Sequence, residues 1–128
     1  MIALDASILV AHLYPLDAHH GAATSLLLDA VVDERLLVHA LTLAEVLVGG
    51  VKIGQGAEML ADLKMAGIML ASRDDDEPLR LAELRSKTGL KLPDCCVLDV
   101  AVSNEAKLAT FDRALATAAH RLGVSVMP

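Results

Sequence analysis

Short apolar runs alternate with stretches of helical periodicity from one end of the chain to the other, and this alternation restricts the fold more than any other feature. Met1–Leu4, Leu36–Val38, Ile68–Leu70 and Lys107–Thr110 are too short for helices, and longer segments with apolar residues at helical spacing separate them. Val124–Met127, after Gly123, is a candidate fifth strand. Strands divided by helices pair in parallel, because each helix carries the chain back across the sheet and covers a face of it. The expected fold is therefore α/β, a three-layer α/β/α sandwich around a central parallel sheet of four to five strands.

The spacing predicts helices from Ala6 toward Leu13, over Ala18–Val32, from Thr42 into Gly49 and Gly50, and over Gln55–Ala66. Thr42 and Glu45 match the S/T-x-x-E capping pattern, which puts Glu45 in a first turn. Pro78–Lys87 reads as a helix closed by Gly89, Pro93-Asp94 opens one that reaches about Glu105, and Asp112 opens the last. The polar run Arg73–Glu77 reads as an exposed loop. With 128 residues the chain fits a single domain, 1–128. Its 55% hydrophobic content exceeds what such a core needs, and a homodimer interface on the helices Ala18–Val32 and Thr42–Ala66 is the expected destination of the excess.

Several function classes fall away on composition. The most apolar stretch, Leu36–Val51, is interrupted by His39, Thr42 and Glu45, so no membrane span of about 18 residues is expected. The opening MIALDASILV lacks a basic leader and holds Asp5 inside its apolar run, which reads as a first strand in a cytoplasmic protein. Cys95 and Cys96 are adjacent and cannot staple distant segments. A net charge of -6 argues against nucleic-acid binding by bulk positive field, and 2% aromatic residues argue against base-stacking platforms. Contact with a nucleic acid would have to run through metal and phosphate.

In a parallel sheet, sites form beyond the carboxyl ends of the strands, where the following helices begin. Four acids meet that rule: Asp5 after the first strand, Glu45 and Asp94 near helix starts, and Asp112 after the fourth strand. Singly, each has an ordinary role as a cap or as an acid favoured by a helix dipole. Asp5 is the most telling, because a carboxylate ending a buried strand is costly without a partner. Together the acids would repel one another unless a cation lay between them. An oxygen-only donor set suits Mg²⁺ or Mn²⁺, whereas zinc favours His or Cys. Such ions activate water against a phosphodiester.

The strings LDAS (4–7), TLAE (42–45), KLPDC (91–95) and TFDRAL (110–115), in this order and over essentially the whole chain, resemble a PIN-domain ribonuclease of the VapC toxin type. The resemblance implies an α/β/α fold, Mg²⁺- or Mn²⁺-dependent endonucleolytic cleavage of RNA, and a VapB-type antitoxin as partner. It also implies that Asp5, Glu45, Asp94 and Asp112 bind metal and that Ser7 orients the site. Asp99 departs from the family pattern. It lies about 140° around a helix from Asp94 and is expected to face elsewhere, as a salt-bridge partner, a second-layer acid or a surface residue.

Arg80, Arg85, Lys87 and Lys91 form a basic strip opposed only by Glu83, and Arg113 adjoins Asp112. Arg85, Lys91 and Arg113 are the candidates for holding RNA phosphates. His19 and His20 point about 100° apart and make poor joint ligands, and His12, His39 and His120 read as structural or exposed. The glycines Gly49, Gly50, Gly54 and Gly56 show no phosphate-binding pattern. Two other functions compete: a phosphatase or phosphoacceptor domain using Asp5, which would want a second Asp where Ser7 stands, and a catalytically silent PIN-like scaffold that binds a protein.

Overall fold

The computed structural model describes residues 1–128 and contains one five-stranded sheet. Strands β1 (Ile2–Leu4), β2 (Leu36–Val38), β3 (Ile68–Leu70), β4 (Lys107–Ala109) and β5 (Val126–Met127) are all parallel, in the order β3-β2-β1-β4-β5. Seven helices connect them: α1 (Ala6–Leu13), α2 (His20–Asp33), α3 (Ala40–Lys52), α4 (Gly56–Met65), α5 (Glu77–Thr88), α6 (Leu92–Ser103) and α7 (Arg113–Arg121). All five expected strands are present, so the expected sandwich is the observed one.

The strands read as unbroken apolar runs because both faces of the sheet are covered. Successive side chains point to opposite faces. Ile2 and Leu4 pack with Leu36, Val38, Ile8, Leu9 and Leu63 on the side of α1 to α4, while Ala3 packs with Leu37, Leu98, Leu108, Leu115 and Ala119 on the side of α6 and α7. Fully burying a Leu or Ile side chain contributes about 1.5–3 kcal/mol. The central strand is β1, and the chain leaves it first toward β2 and β3, then returns to lay β4 on its other side. A crevice opens where the order reverses, between the carboxyl ends of β1 and β4. Asp5 follows β1 at that point and Asp112 follows β4.

Three local expectations need correction. Helix α3 begins at Ala40, before Thr42, and its N-cap is His39, whose ring accepts a hydrogen bond from the Leu41 N–H. Thr42 is buried and makes no capping box, so Glu45 sits in the second turn; the helix also continues through Gly49 and Gly50 to Lys52. The segment Arg73–Glu77 is not simply an exposed loop. Glu77 is 3% exposed and takes two hydrogen bonds from the Arg73 guanidinium, at 2.8 and 3.1 Å. The basic strip loses Arg80, which donates to both oxygens of Asp99 at 2.9 and 3.2 Å and to Asp74 at 2.9 Å. Asp99 is thus the salt-bridge partner, buried at mid-helix and also bonded by Ser103.

Candidate active site

The crevice between β1 and β4 is organised around Asp5. Its carboxyl is 7% exposed, and one oxygen, Oδ2, accepts hydrogen bonds from the Ser7 hydroxyl at 2.8 Å and the Thr110 hydroxyl at 2.7 Å. These hydroxyls belong to different walls, Ser7 to the first turn of α1 and Thr110 to the end of β4. Each is itself fixed: Ser7 Oγ accepts from the Phe111 N–H at 3.0 Å, and Thr110 Oγ1 accepts from the Asp112 N–H at 2.9 Å. The Asp5 backbone N–H donates to Ala109. The other oxygen, Oδ1, has no partner within the chain and is not sealed from solvent, so it is free to meet a ligand.

Asp112 is the N-cap of α7, with one oxygen accepting from the Leu115 N–H at 3.0 Å. Asp94 stands half-buried in the first turn of α6, behind Pro93. Glu45 is exposed on α3. A shared field joins the four. Burial pushes the Asp94 carboxyl above its ordinary range, and Asp112, Asp5 and Glu45 push it further, with only Lys91 opposing them. Carboxylates from three other stretches of chain therefore act on Asp94.

No three of these side chains close around a common point as a ready-made cage. Mg²⁺ dehydrates reluctantly, keeps several waters and takes one or two carboxylates directly. The donor set is oxygen only, and the uncompensated repulsion at Asp94 is what a divalent cation would relieve. The residues fit such an ion.

Lys91 is the exposed residue preceding α6, and Arg113 the exposed first residue of α7. Neither has an ion-pair partner, since Arg73, Arg80 and Lys107 occupy the chain's Lys and Arg pairs. Arg85 donates to the Leu90 carbonyl at 2.9 Å, bracing the turn at Gly89 that leads to Asp94. Gly89 takes a left-handed conformation there, φ 74°, which favours glycine. Between this turn and α7 lies a cleft of about 510 Å³, lined by Lys87, Thr88, Leu90, Thr117 and Arg121 among others, with no acid in its lining.

Thr110, His39 and the pair His19–Phe111 belong to this rim and were not singled out as site residues in the sequence. Thr110 had a signal, a hydroxyl at the carboxyl end of the fourth strand, two residues before Asp112. His39 is 4% exposed; because Nδ1 accepts from Leu41, Nε2 carries the proton and donates to Glu77 at 2.7 Å. This contact fixes the start of α3, the helix that bears Glu45. His12 and His20 are occupied locally, by Thr24 and the Ala11 carbonyl.

Known proteins show similarity at two levels. The PIN domain family matches residues 2–121. Among solved structures, the chain is similar to VapBC2 from Rickettsia felis bound to a DNA fragment from its promoter, with TM-score 0.75 and 18% identity over 99% of this chain and 98% of that one. It is also similar to FitAcB from Neisseria gonorrhoeae, with TM-score 0.72 and 20% identity over 100% and 97%. PAE2754 from Pyrobaculum aerophilum gives TM-score 0.62 and 19% identity over 98% and 82%. No curated protein matches by sequence.

Proposed function

The chain belongs to the PIN-domain family, and from that premise we propose that residues 1–128 form a single metal-dependent endoribonuclease, the toxin of a toxin–antitoxin pair. The observation that carries this reading is the gathering of carboxylates around Asp94, whose carboxyl is raised first by its burial and then by Asp112, Asp5 and Glu45 from three other segments of the chain. Evolution of a fold that merely needs stability would have little use for such repulsion in its crevice. Asp5, Glu45, Asp94 and Asp112 hold one or two Mg²⁺ or Mn²⁺ ions. When bound, the metal supplies neutralisation of phosphate charge and activation of the attacking water.

The chain's own residues do the positioning. Ser7 and Thr110 hold Oδ2 of Asp5 from two sides, so that Oδ1 presents itself to the crevice in one orientation. Asp112 is held by its cap and Asp94 by the first turn of α6. Arg85, Lys91 and Arg113 bind phosphates flanking the scissile bond, which an acidic chain of net charge -6 needs in order to retain a polyanion.

The partner is a VapB-type antitoxin; the names VapBC2 and FitAcB of two structural neighbours support that choice. Exposed apolar residues on the expected helices, Leu28 and Val32 on α2, Val48 and Val51 on α3 and Met65 on α4, offer area both for it and for a second copy of the chain. Light scattering should show a dimer at micromolar concentration, and a monomer would remove the homodimer from the reading.

The test of the activity is cleavage of total cellular RNA by the purified, partner-free protein with Mg²⁺ or Mn²⁺, beside EDTA and Asp5→Asn. Discrete products that vanish in both controls are expected. Absence of cleavage by a folded, metal-binding wild type would overturn the nuclease and favour the silent scaffold.

A further inference from the structure

The chain has one phenylalanine, and it stands inside the candidate site. Phe111 lies between Thr110 and Asp112, and its N–H donates to the same Ser7 hydroxyl that holds Asp5. The His19 ring lies flat on it, with ring centroids 4.3 Å apart and planes 14° from parallel. His19 belongs to the turn that enters α2, where its backbone N–H donates to Asp17 Oδ1 at 2.8 Å. Its side chain differs from those of His12, His20 and His39, each of which has at least one ring nitrogen hydrogen-bonded within the chain. The His19 ring has no hydrogen-bond partner within the chain, and the residue is exposed.

A residue that only shields Phe111 from water has no need of a flat, nearly parallel ring. Parallel stacking occupies one face of the exposed imidazole with Phe111, the neighbour of Asp112, and leaves the other face turned away from it. A nucleobase unpaired from any complement is the ligand that fits such a face, because every base has a π surface and stacks without regard to sequence.

We propose that His19, backed by Phe111, is a stacking platform for an unpaired nucleobase next to the scissile phosphate of single-stranded RNA. The inference rests on the reading of this rim as an RNA-cleaving site. It also qualifies the expectation, drawn from the scarcity of aromatic residues, that RNA contact must run through metal and phosphate alone. One aromatic pair suffices when the fold sets it beside the acids. The platform positions a base and does not identify it, so base preference at that nucleotide should be weak.

Binding measured in EDTA separates this inference from cleavage. The probes are a labelled single-stranded RNA of mixed sequence and a ribose–phosphate strand of equal length without bases, titrated with wild type, His19→Ala, His19→Leu and His19→Tyr. On the base-bearing strand His19→Ala should weaken affinity about tenfold, with an unchanged salt slope because no phosphate contact is lost. His19→Tyr should restore it, and on the baseless strand all four proteins should bind alike. Unchanged affinity in His19→Ala overturns the platform, whether or not the wild type cuts RNA. Wild-type affinity in His19→Leu assigns the ring to shielding Phe111 and also overturns it, as does an equal loss on both strands. RNA cleavage by the wild type alongside any of these results leaves the nuclease standing without its platform.

Discussion

Thr110→Val isolates the hydroxyl that joins the two walls of the crevice. The substitution keeps the β-branched shape, so the end of β4 keeps its packing while two hydrogen bonds are lost. One is the 2.7 Å donation to Asp5 Oδ2, made to a carboxylate that is 7% exposed; bonds to charged groups contribute about 1.5–3 kcal/mol. The other leaves the Asp112 N–H without its 2.9 Å acceptor, near enough to solvent for water to replace part of it. Together they should lower unfolding stability by about 2–3 kcal/mol. For a chain of this length that is a fall in Tm of roughly 6–15 °C. Thr110→Ser restores the hydroxyl and should recover most of the loss. Guanidinium melts of the three proteins, followed by circular dichroism, measure the stability difference, and RNA cleavage measures the loss of Asp5 orientation, expected at about tenfold or more in rate. If Thr110→Val is as stable and as active as Thr110→Ser, the hydroxyl does not hold Asp5.

Three further outcomes follow from the electrostatics. Asp94 is raised above its ordinary 3.8, so the stability it contributes is full below that value and is lost as pH rises through the folded pKa; Asp94→Asn should therefore make the metal-free protein more stable than wild type at pH 7 while abolishing cleavage, and a destabilised Asp94→Asn in melts at pH 4 to 8 would contradict the repulsion. Arg73 is the largest cause of the lowered Glu77 pKa, so that contribution is present above the ordinary 4.5 and is lost as pH falls through the folded value. Arg73→Ala should lower stability at pH 7, by less than loss of a fully buried pair because Arg73 is itself 57% exposed, and the difference should shrink in acid melts. Burial raises the Cys95 thiol and pushes Cys96 up to about 11, so neither should react with a disulfide reagent at pH 8 until denaturant is added; labelling of the native protein within minutes would show that this part of α6 opens.

What the sequence revealed divides along a physical line. Strand positions and the rim acids were legible because each depends on local pattern: an apolar run, a breaker, a carboxylate at the junction. Asp5 and Asp112 stand where the topological rule puts them, on either side of the reversal between β1 and β4. What escaped depends on partners far away in the chain. The hydroxyl of Thr110 matters because β4 pairs with β1, which sets it against Asp5 across 105 residues. Glu77 looked like part of a polar loop because its buried partner His39 lies 38 residues earlier and meets it only where the start of α5 reaches the start of α3. The supposed capping box failed for the same reason: His39, tethered to Glu77, begins the helix early and leaves Thr42 inside it.

These long-range contacts also bear on how an acidic chain would receive the proposed RNA substrate. Arg73 and Arg80 are paired with Glu77 and with Asp99 and Asp74, so they add little net field of their own. Five of the eight Lys and Arg side chains without an ion pair, Arg85, Lys87, Lys91, Arg113 and Arg121, instead gather on the end of α5, the turn before α6, and α7. Two of these segments lead into Asp94 and one leads away from Asp112, so the positive flank and the acidic rim share their walls. A phosphate strand drawn along that flank arrives beside the carboxylates without first crossing the acidic remainder of the surface. Net charge is thus a poor guide to what this chain binds, because attraction beyond about 8 Å is screened at physiological salt and the local arrangement decides the contact.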